Sequence, residues 1–153
     1  LKIHSAIRIS DDLMSEKSYY FEEVVTIKKM LEESDGKPSL FLLDEIFKGT
    51  NTIERIAAGK SVLSYLNRND NLVLVSTHDI ELADLLKSVY NLYHFTELVE
   101  NDRIVFDYKL KTGNLQSTNA IRILEINNYP AEVTDEAKNL SALIRKNNVA
   151  HKA

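Results

Sequence analysis

Apolar residues along the chain fall into short unbroken runs and longer periodic stretches, and the two patterns predict different elements. Ser39-Leu40-Phe41-Leu42-Leu43 is an unbroken run stopped by Asp44-Glu45, and Leu72-Val73-Leu74-Val75 is a second one stopped by Ser76-Thr77-His78. Each is too short for a helix and apolar on both faces, as a central strand of a parallel sheet is. Between them, Asn51 and Glu54 have capping-box spacing. They open a predicted helix from about Thr52 to Asn67 that buries Ile53, Ile56, Leu63 and Leu66. Asn69-Asp70-Asn71 turns the chain into the second run. Strand, helix, strand is a βαβ unit, so the two strands should lie parallel, joined by a right-handed crossover.

The flanks extend this α/β pattern. Residues Lys2 to Ile9 alternate as a strand does, and Ser10-Asp11-Asp12 breaks it. From Glu16 to Glu33, Phe21, Val24, Val25 and Leu31 share one helical stripe with Ile27 and Met30 beside it, and Asp35-Gly36-Lys37-Pro38 ends that helix. A short helix is expected from Asp79 to Lys87. It is followed by a hairpin with arms Val89–Val99 and Arg103–Leu110, where Ile104, Phe106, Tyr108 and Leu110 alternate. Two helices finish the chain, about Thr118 to Ile126 and Ala131 to Lys146, with Pro130 suited to the start of the second. No repeat or low-complexity tract interrupts the pattern.

Composition narrows the function classes. The 153 residues are 44% apolar and 27% charged, a globular balance that needs no disulfide or metal staple. With 19 basic and 23 acidic side chains the net charge is −4, which argues against a dominant basic nucleic-acid surface. The absence of cysteine excludes disulfides, thiolate metal sites and a cysteine nucleophile, and fits a reducing, cytoplasmic setting. No apolar run approaches the roughly 20 residues that a bilayer requires. The chain begins at Leu1-Lys2-Ile3 rather than at a methionine and reads as a fragment.

In an open α/β sheet, ligands bind beyond the carboxyl ends of the strands. Here those ends carry Asp44-Glu45 and Ser76-Thr77-His78, which the βαβ geometry brings to one sheet edge. Neighbouring residues at a strand end point in different directions, so one carboxylate can face a metal ion while the next faces a water. Mg²⁺ takes oxygen ligands and is commonly held by one carboxylate plus nucleotide phosphates. A histidine can donate to a transferring phosphoryl oxygen. Acidic pairs at strand ends also serve as caps or ion-pair partners, and Thr-His-Asp can simply start a helix, so the pattern alone leaves both readings open.

The longer string Leu40-Phe41-Leu42-Leu43-Asp44-Glu45-Ile46-Phe47-Lys48-Gly49-Thr50-Asn51-Thr52, with Val75-Ser76-Thr77-His78-Asp79 at the matching interval, resembles the carboxyl half of the MutS-family ATPase domain. MutS proteins are ABC-class ATPases of DNA mismatch repair and related processes. Arg8-Ile9-Ser10-Asp11-Asp12-Leu13 and Ser18-Tyr19-Tyr20-Phe21-Glu22-Glu23 are similar to the strand and signature segment that precede the family's long helix. The hairpin and final helices resemble its C-terminal helix-turn-helix. The resemblance implies a P-loop NTPase-like, ABC-class parallel sheet fragment over residues 1–115, with a β-hairpin, followed by a dimerisation or packing element over 116–153. It implies ATP and Mg²⁺ as cofactors. Asp44 would be the Walker B carboxylate that helps hold the metal, Glu45 would activate water, and His78 would lie near the γ-phosphate. Ser18, Gly49, Thr50, Asn51 and Thr77 would contact nucleotide or the loop that meets a second subunit. The implied partners are a second copy of the protein across the ATPase face and DNA engaged by domains outside this chain.

The sequence departs from the family in three places. The phosphate loop G-x-x-x-x-G-K-S/T (Walker A) is missing, so the chain alone is expected to hydrolyse ATP poorly, the loop belonging before Leu1. Gly59-Lys60-Ser61 is no substitute, because Glu54 stands five positions before Gly59 and the triplet lies within a predicted helix. Tyr19 stands where the family commonly has threonine and Phe47 where it has glycine. His4, His94 and His151 have no metal-ligand spacing. The last helix begins Ala131-Glu132-Val133-Thr134-Asp135-Glu136, too acidic to be met by phosphates. Two other readings remain open: another ABC-class ATPase such as an SMC-like domain, and a non-catalytic dimerisation module.

Overall fold

The computed structural model describes residues 1–7, 16–34, 36–101, 103–115 and 119–150. These form two compact units, Leu1–Leu92 and Tyr93–Ala153. In the first, strand β1 (Lys2–Ala6), helix α1 (Glu16–Glu33), strand β2 (Ser39–Asp44), helix α2 (Thr52–Leu66), strand β3 (Leu72–Ser76) and helix α3 (Ile80–Leu86) follow in order. The sheet order is β1-β2-β3, parallel throughout, with Phe41 opposite His4 on one side and Val73 on the other. The two apolar runs are therefore adjacent parallel strands, and the longer is central.

Alternation along β2 sorts its side chains. Ser39, Phe41 and Leu43 are buried on the face that carries the helices' apolar residues, among them Ile27 and Met30 of α1 and Leu63 and Leu66 of α2. His4 stacks on Phe41 with centroids 4.8 Å apart and planes within 9°. The opposite face carries Ile3, Leu40, Leu42, Leu72 and Leu74 in register, and Leu72 and Leu74 are each 55% exposed. A parallel sheet ordinarily has both faces covered. Here one face is packed and the other is an apolar surface.

The helices bury narrower faces than the sequence suggests. In α1 the inward residues are Tyr20, Val24, Ile27, Met30 and Leu31, at helical spacing, whereas Phe21 and Val25 are exposed. They sit about 100° round from that face, and a single sheet surface cannot receive both stripes. In α2, Leu63 and Leu66 are fully buried and Ile56 partly, but Ile53 in the first turn is exposed. Gly59 faces α3, where an added Cβ would lie 3.2 Å from Leu82 Cδ2. That close approach accounts for the glycine of the Gly59-Lys60-Ser61 triplet, which lies inside α2 as its position predicts.

In the second unit, β4 (Tyr93–His94) pairs antiparallel with β7 (Lys111–Thr112), and β5 (Glu97–Glu100) with β6 (Arg103–Phe106). The hairpin is present with shorter arms than expected. Val89 and Tyr90 belong instead to the turn after α3, both amides donating to Leu86 O, and Tyr90 Oη donates to Leu63 O at 2.8 Å. The second arm stops at Phe106, where the Asp107 carboxylate accepts from Lys109 N and Tyr108 has φ +52°. Helices α4 (Ala120–Ile126) and α5 (Ala131–Ala150) follow, linked by Glu125, which pairs with Arg122 and Lys138. Among the described residues no helix is long and apolar enough to cross a membrane.

Candidate functional site

The carboxyl ends of β2 and β3 lie side by side, with Asp44 opposite Ser76. The Ser76 hydroxyl donates to Asp44 Oδ1, and Glu45 N donates to Ser76 O at 3.0 Å, which extends the ladder one residue beyond the strand. There the backbone turns sharply: Glu45 has φ +47° and Phe47 φ +62°, both in the left-handed region that L side chains seldom enter. Long-range anchors hold the turn. Ile46 and Phe47 are buried in the core, and Glu23 Oε1 of α1 accepts from Phe47 N at 2.8 Å. Gly49 passes so near α1 that a Cβ would come within 2.9 Å of Tyr20 Cβ. Only glycine fits there without movement.

This turn aims Glu45 across the strand ends. Its Oε1 contacts His78 Nε2, and its Oε2 pairs with Lys48 Nζ at 2.8 Å. The imidazole thus presents an Nε2–H donor to the carboxylate. A cavity of about 110 Å³ is lined by Glu45, Ile46, Lys48, Arg55, Thr77, His78 and Asp79. A larger cavity of about 360 Å³ near Leu1, Glu33 and Pro38 lies at the opposite, amino ends of the strands and shares no residue with it.

Of the residues singled out from the sequence, Glu45, Thr77 and His78 line this cavity; Asp44 does not, and instead bonds Ser76 one residue back along each strand. Thr77 Oγ1 accepts from Asp79 N at 3.0 Å and so shapes the turn that carries His78. Thr50 and Asn51 have local structural work. Asn51 Oδ1 accepts from Glu54 N, capping α2, while Thr50 Oγ1 donates to Glu54 Oε2. The expected capping box is thus half made, with the glutamate turned to Thr50. Gly49 serves the close approach to Tyr20. Ser18 falls in the first turn of α1, and its side chain lies outside the described residues, as do Arg8 to Leu13.

Among the described residues no group of three or more carboxylates and histidines could by itself hold a metal ion. One carboxylate beside a hydroxyl, as in Asp44 and Ser76, is the sparse oxygen donor set that suits Mg²⁺ when phosphates and water complete its shell.

Three contributors were not singled out from the sequence: Lys48, Arg55 and Asp79. Arg55 Nε and Nη2 each donate to an Asp79 carboxylate oxygen at 2.8 Å, and the hydrogen-bonded Asp79 pushes the guanidinium pKa further above its ordinary value. A signal was present. A cation in the first turn of a helix opposes the helix dipole and calls for an acidic partner.

A family profile described as MutS domain V matches residues 1–145. The DNA mismatch repair protein MutS of Orientia tsutsugamushi (strain Boryong) is 33% identical over 151 residues, 97% of this chain and 17% of that protein. The DNA mismatch repair protein MutS of Listeria monocytogenes serotype 4a (strain HCC23) is 30% identical over 142 residues, 91% of this chain and 16% of that protein. The protein of the same name from Natronomonas pharaonis is 28% identical over 149 residues, 95% of this chain and 17% of that protein. The chain therefore spans only 16–17% of the length of these curated relatives.

Proposed function

This chain belongs to the MutS family, and from that premise we propose that it is part of an ATPase domain, P-loop NTPase-like in fold, that hydrolyses ATP in a DNA mismatch repair protein. One observation carries the reading: parallel pairing of β2 and β3 delivers Glu45 and His78 to one sheet edge in direct contact, with Asp44 beside them. Asp44 would hold Mg²⁺, which when bound neutralises charge on the phosphate oxygens. Glu45, aimed over the strand ends by its left-handed backbone, orients the attacking water and takes its proton. His78 donates from its imidazole to the γ-phosphate once nucleotide draws it from Glu45. Lys48 supplies a neighbouring positive charge.

The exposed apolar face of the sheet is consistent with this fold, in which further elements would cover it. The reading takes the whole protein as a homodimer, with Gly49, Thr50, Asn51 and Ser18 near the second subunit and DNA bound by other domains. A packing or dimerisation role for residues 116–153 is favoured by Leu140, Leu143 and Ile144, which form an exposed apolar stripe on α5.

The test is Glu45→Gln in the full-length protein. A carboxamide keeps the shape but cannot take the proton, so ATP should still bind while hydrolysis falls by about 100-fold or more. Unchanged turnover would refute the role given to Glu45.

A further inference from the structure

We infer that Arg55 is a positioning residue for His78: its guanidinium grips Asp79, the histidine's neighbour, and thereby holds the imidazole against Glu45. The inference rests on the ATPase reading above and adds to it a residue outside the strand ends.

The His78 side chain is 90% exposed, so packing does not fix the ring. Its position follows from the backbone of residues 77–79. That short turn is held on one side by Thr77, whose hydroxyl accepts from Asp79 N. On the other side it is held by Arg55. The Arg55–Asp79 pair is a two-pronged fork with side chains only 22% and 15% exposed, which is rigid in a way a surface ion pair is not. Asp79 also occupies the N-cap position of α3 yet makes no capping bond with its side chain. An aspartate there ordinarily bonds its own helix. This one is turned away to meet α2.

The connectivity gives the fork its leverage. Arg55 lies in the first turn of α2, directly after the loop that begins at Glu45, whereas Asp79 lies at the start of α3, directly after His78. The fork therefore ties the helix end of the loop that begins at Glu45 to the residue that directly follows His78. Without it, the pairing of β2 with β3 still keeps the two groups at one edge, but the direction in which His78 leaves β3 loses its anchor on α2. Such a misplacement of about 1 Å is enough to cost on the order of 100-fold in rate.

The experiment is a double-mutant cycle in the full-length protein, read as kcat and KM for ATP hydrolysis, with thermal melts of every variant. Arg55→Ala should lower kcat about tenfold or more with KM changed less than about threefold, because orientation rather than nucleotide affinity is lost. In a His78→Ala background the same substitution should cost less than about twofold, since the group it positions is already gone. Arg55→Lys, which keeps the charge without the fork, should fall between wild type and Arg55→Ala. Arg55→Asp combined with Asp79→Arg should recover much of the lost kcat. Equal losses in the presence and absence of His78 would overturn the inference and leave a plain α2–α3 contact. A charge swap that melts like wild type but recovers nothing would overturn it as well. Should Arg55→Ala fail to fold, the cycle is run with Arg55→Lys, and additivity there has the same meaning. Hydrolysis abolished by Glu45→Gln but indifferent to both Arg55 variants would sink this inference alone, whereas a full-length protein without any ATP hydrolysis would sink the proposed function and this inference together.

Discussion

Phe47 adopts φ +62°, a conformation that favours glycine, while its ring is 94% removed from solvent in the core, being only 6% exposed. Two opposing terms therefore act at one residue, and truncation separates them. Phe47→Ala removes the buried ring and leaves a Cβ in the left-handed region; loss of a buried phenylalanine costs about 3–5 kcal/mol. Phe47→Gly loses the same ring but also releases the left-handed strain, about 1–2 kcal/mol for an L residue. Glycine's extra freedom in the unfolded chain returns about 0.4–1 kcal/mol of that. The glycine variant should therefore be the more stable of the two by about 0.5–1 kcal/mol, the reverse of the usual order. Urea unfolding of the chain followed by far-UV circular dichroism resolves this. With a slope of about 1–3 kcal/mol per molar urea, the Gly midpoint should lie about 0.2–1 M above the Ala midpoint. An alanine variant equal to or more stable than the glycine variant would mean that the turn relaxes out of the left-handed region at no cost, and the account of its rigidity would fail.

Gly49→Ala should destabilise by about 1–3 kcal/mol through overpacking against α1. Because the nearest atom is Tyr20 Cβ, which alanine retains, Tyr20→Ala should relieve the clash only in part, and full rescue in the same urea assay would contradict the contact. Burial pushes the Tyr90 hydroxyl pKa up from 10.0 to about 12. Its folded value lies above its unfolded value, so the stability it contributes is complete below pH 10.0 and is lost as pH rises toward about 12. Tyr90→Phe should flatten that alkaline decline in melting temperature while removing about 1 kcal/mol of hydrogen bonding to Leu63 O at neutral pH. A variant with the same alkaline slope as the parent would assign the decline to other groups.

The sequence was most informative where backbone and burial demand agree. A run such as Leu40-Phe41-Leu42-Leu43 can be satisfied only by a strand with neighbours on both sides, and β2 is that strand. The limits of α1 were legible for a related reason, since turn residues follow it at once. Its buried face was not, because Phe21 and Val25 offer a second apolar stripe and only the single covered sheet surface decides between the two. Ile53 misled in the same manner: the α2 register admits it to a stripe, but it is 82% exposed while Leu63 and Leu66 take the buried positions. The hairpin arms were read too long because alternation through Tyr108 and Leu110 carries no mark of the Asp107 turn. At the site, Asp44, Glu45 and His78 were legible since strand ends announce themselves by the switch from apolar to polar. Arg55 and Asp79 were only half legible: a cation in the first turn of α2 calls for an acidic partner, but the partnership spans 24 positions and the sequence does not say which acid answers it.

That contrast bears on how the site is held. The strand ends supply Glu45 and His78, yet local bonds such as Asp79 N to Thr77 Oγ1 do not by themselves bring the two groups together. One loop runs through left-handed backbone at Glu45 and Phe47, and the other carries an imidazole that is 90% exposed. Each is constrained from a different element. Glu23 and Tyr20 of α1 fix the Glu45 loop, through the Phe47 amide and the close approach of Gly49. Arg55 of α2 fixes the His78 loop through Asp79. Left-handed backbone at two non-glycine residues costs energy that only such distant anchors can offset. Loosening α1 should therefore disturb the carboxylate first, and loosening the Arg55 fork the imidazole first. The strand register alone guarantees that the two groups share an edge; it does not guarantee that they touch. Contact between them is a property of the helices.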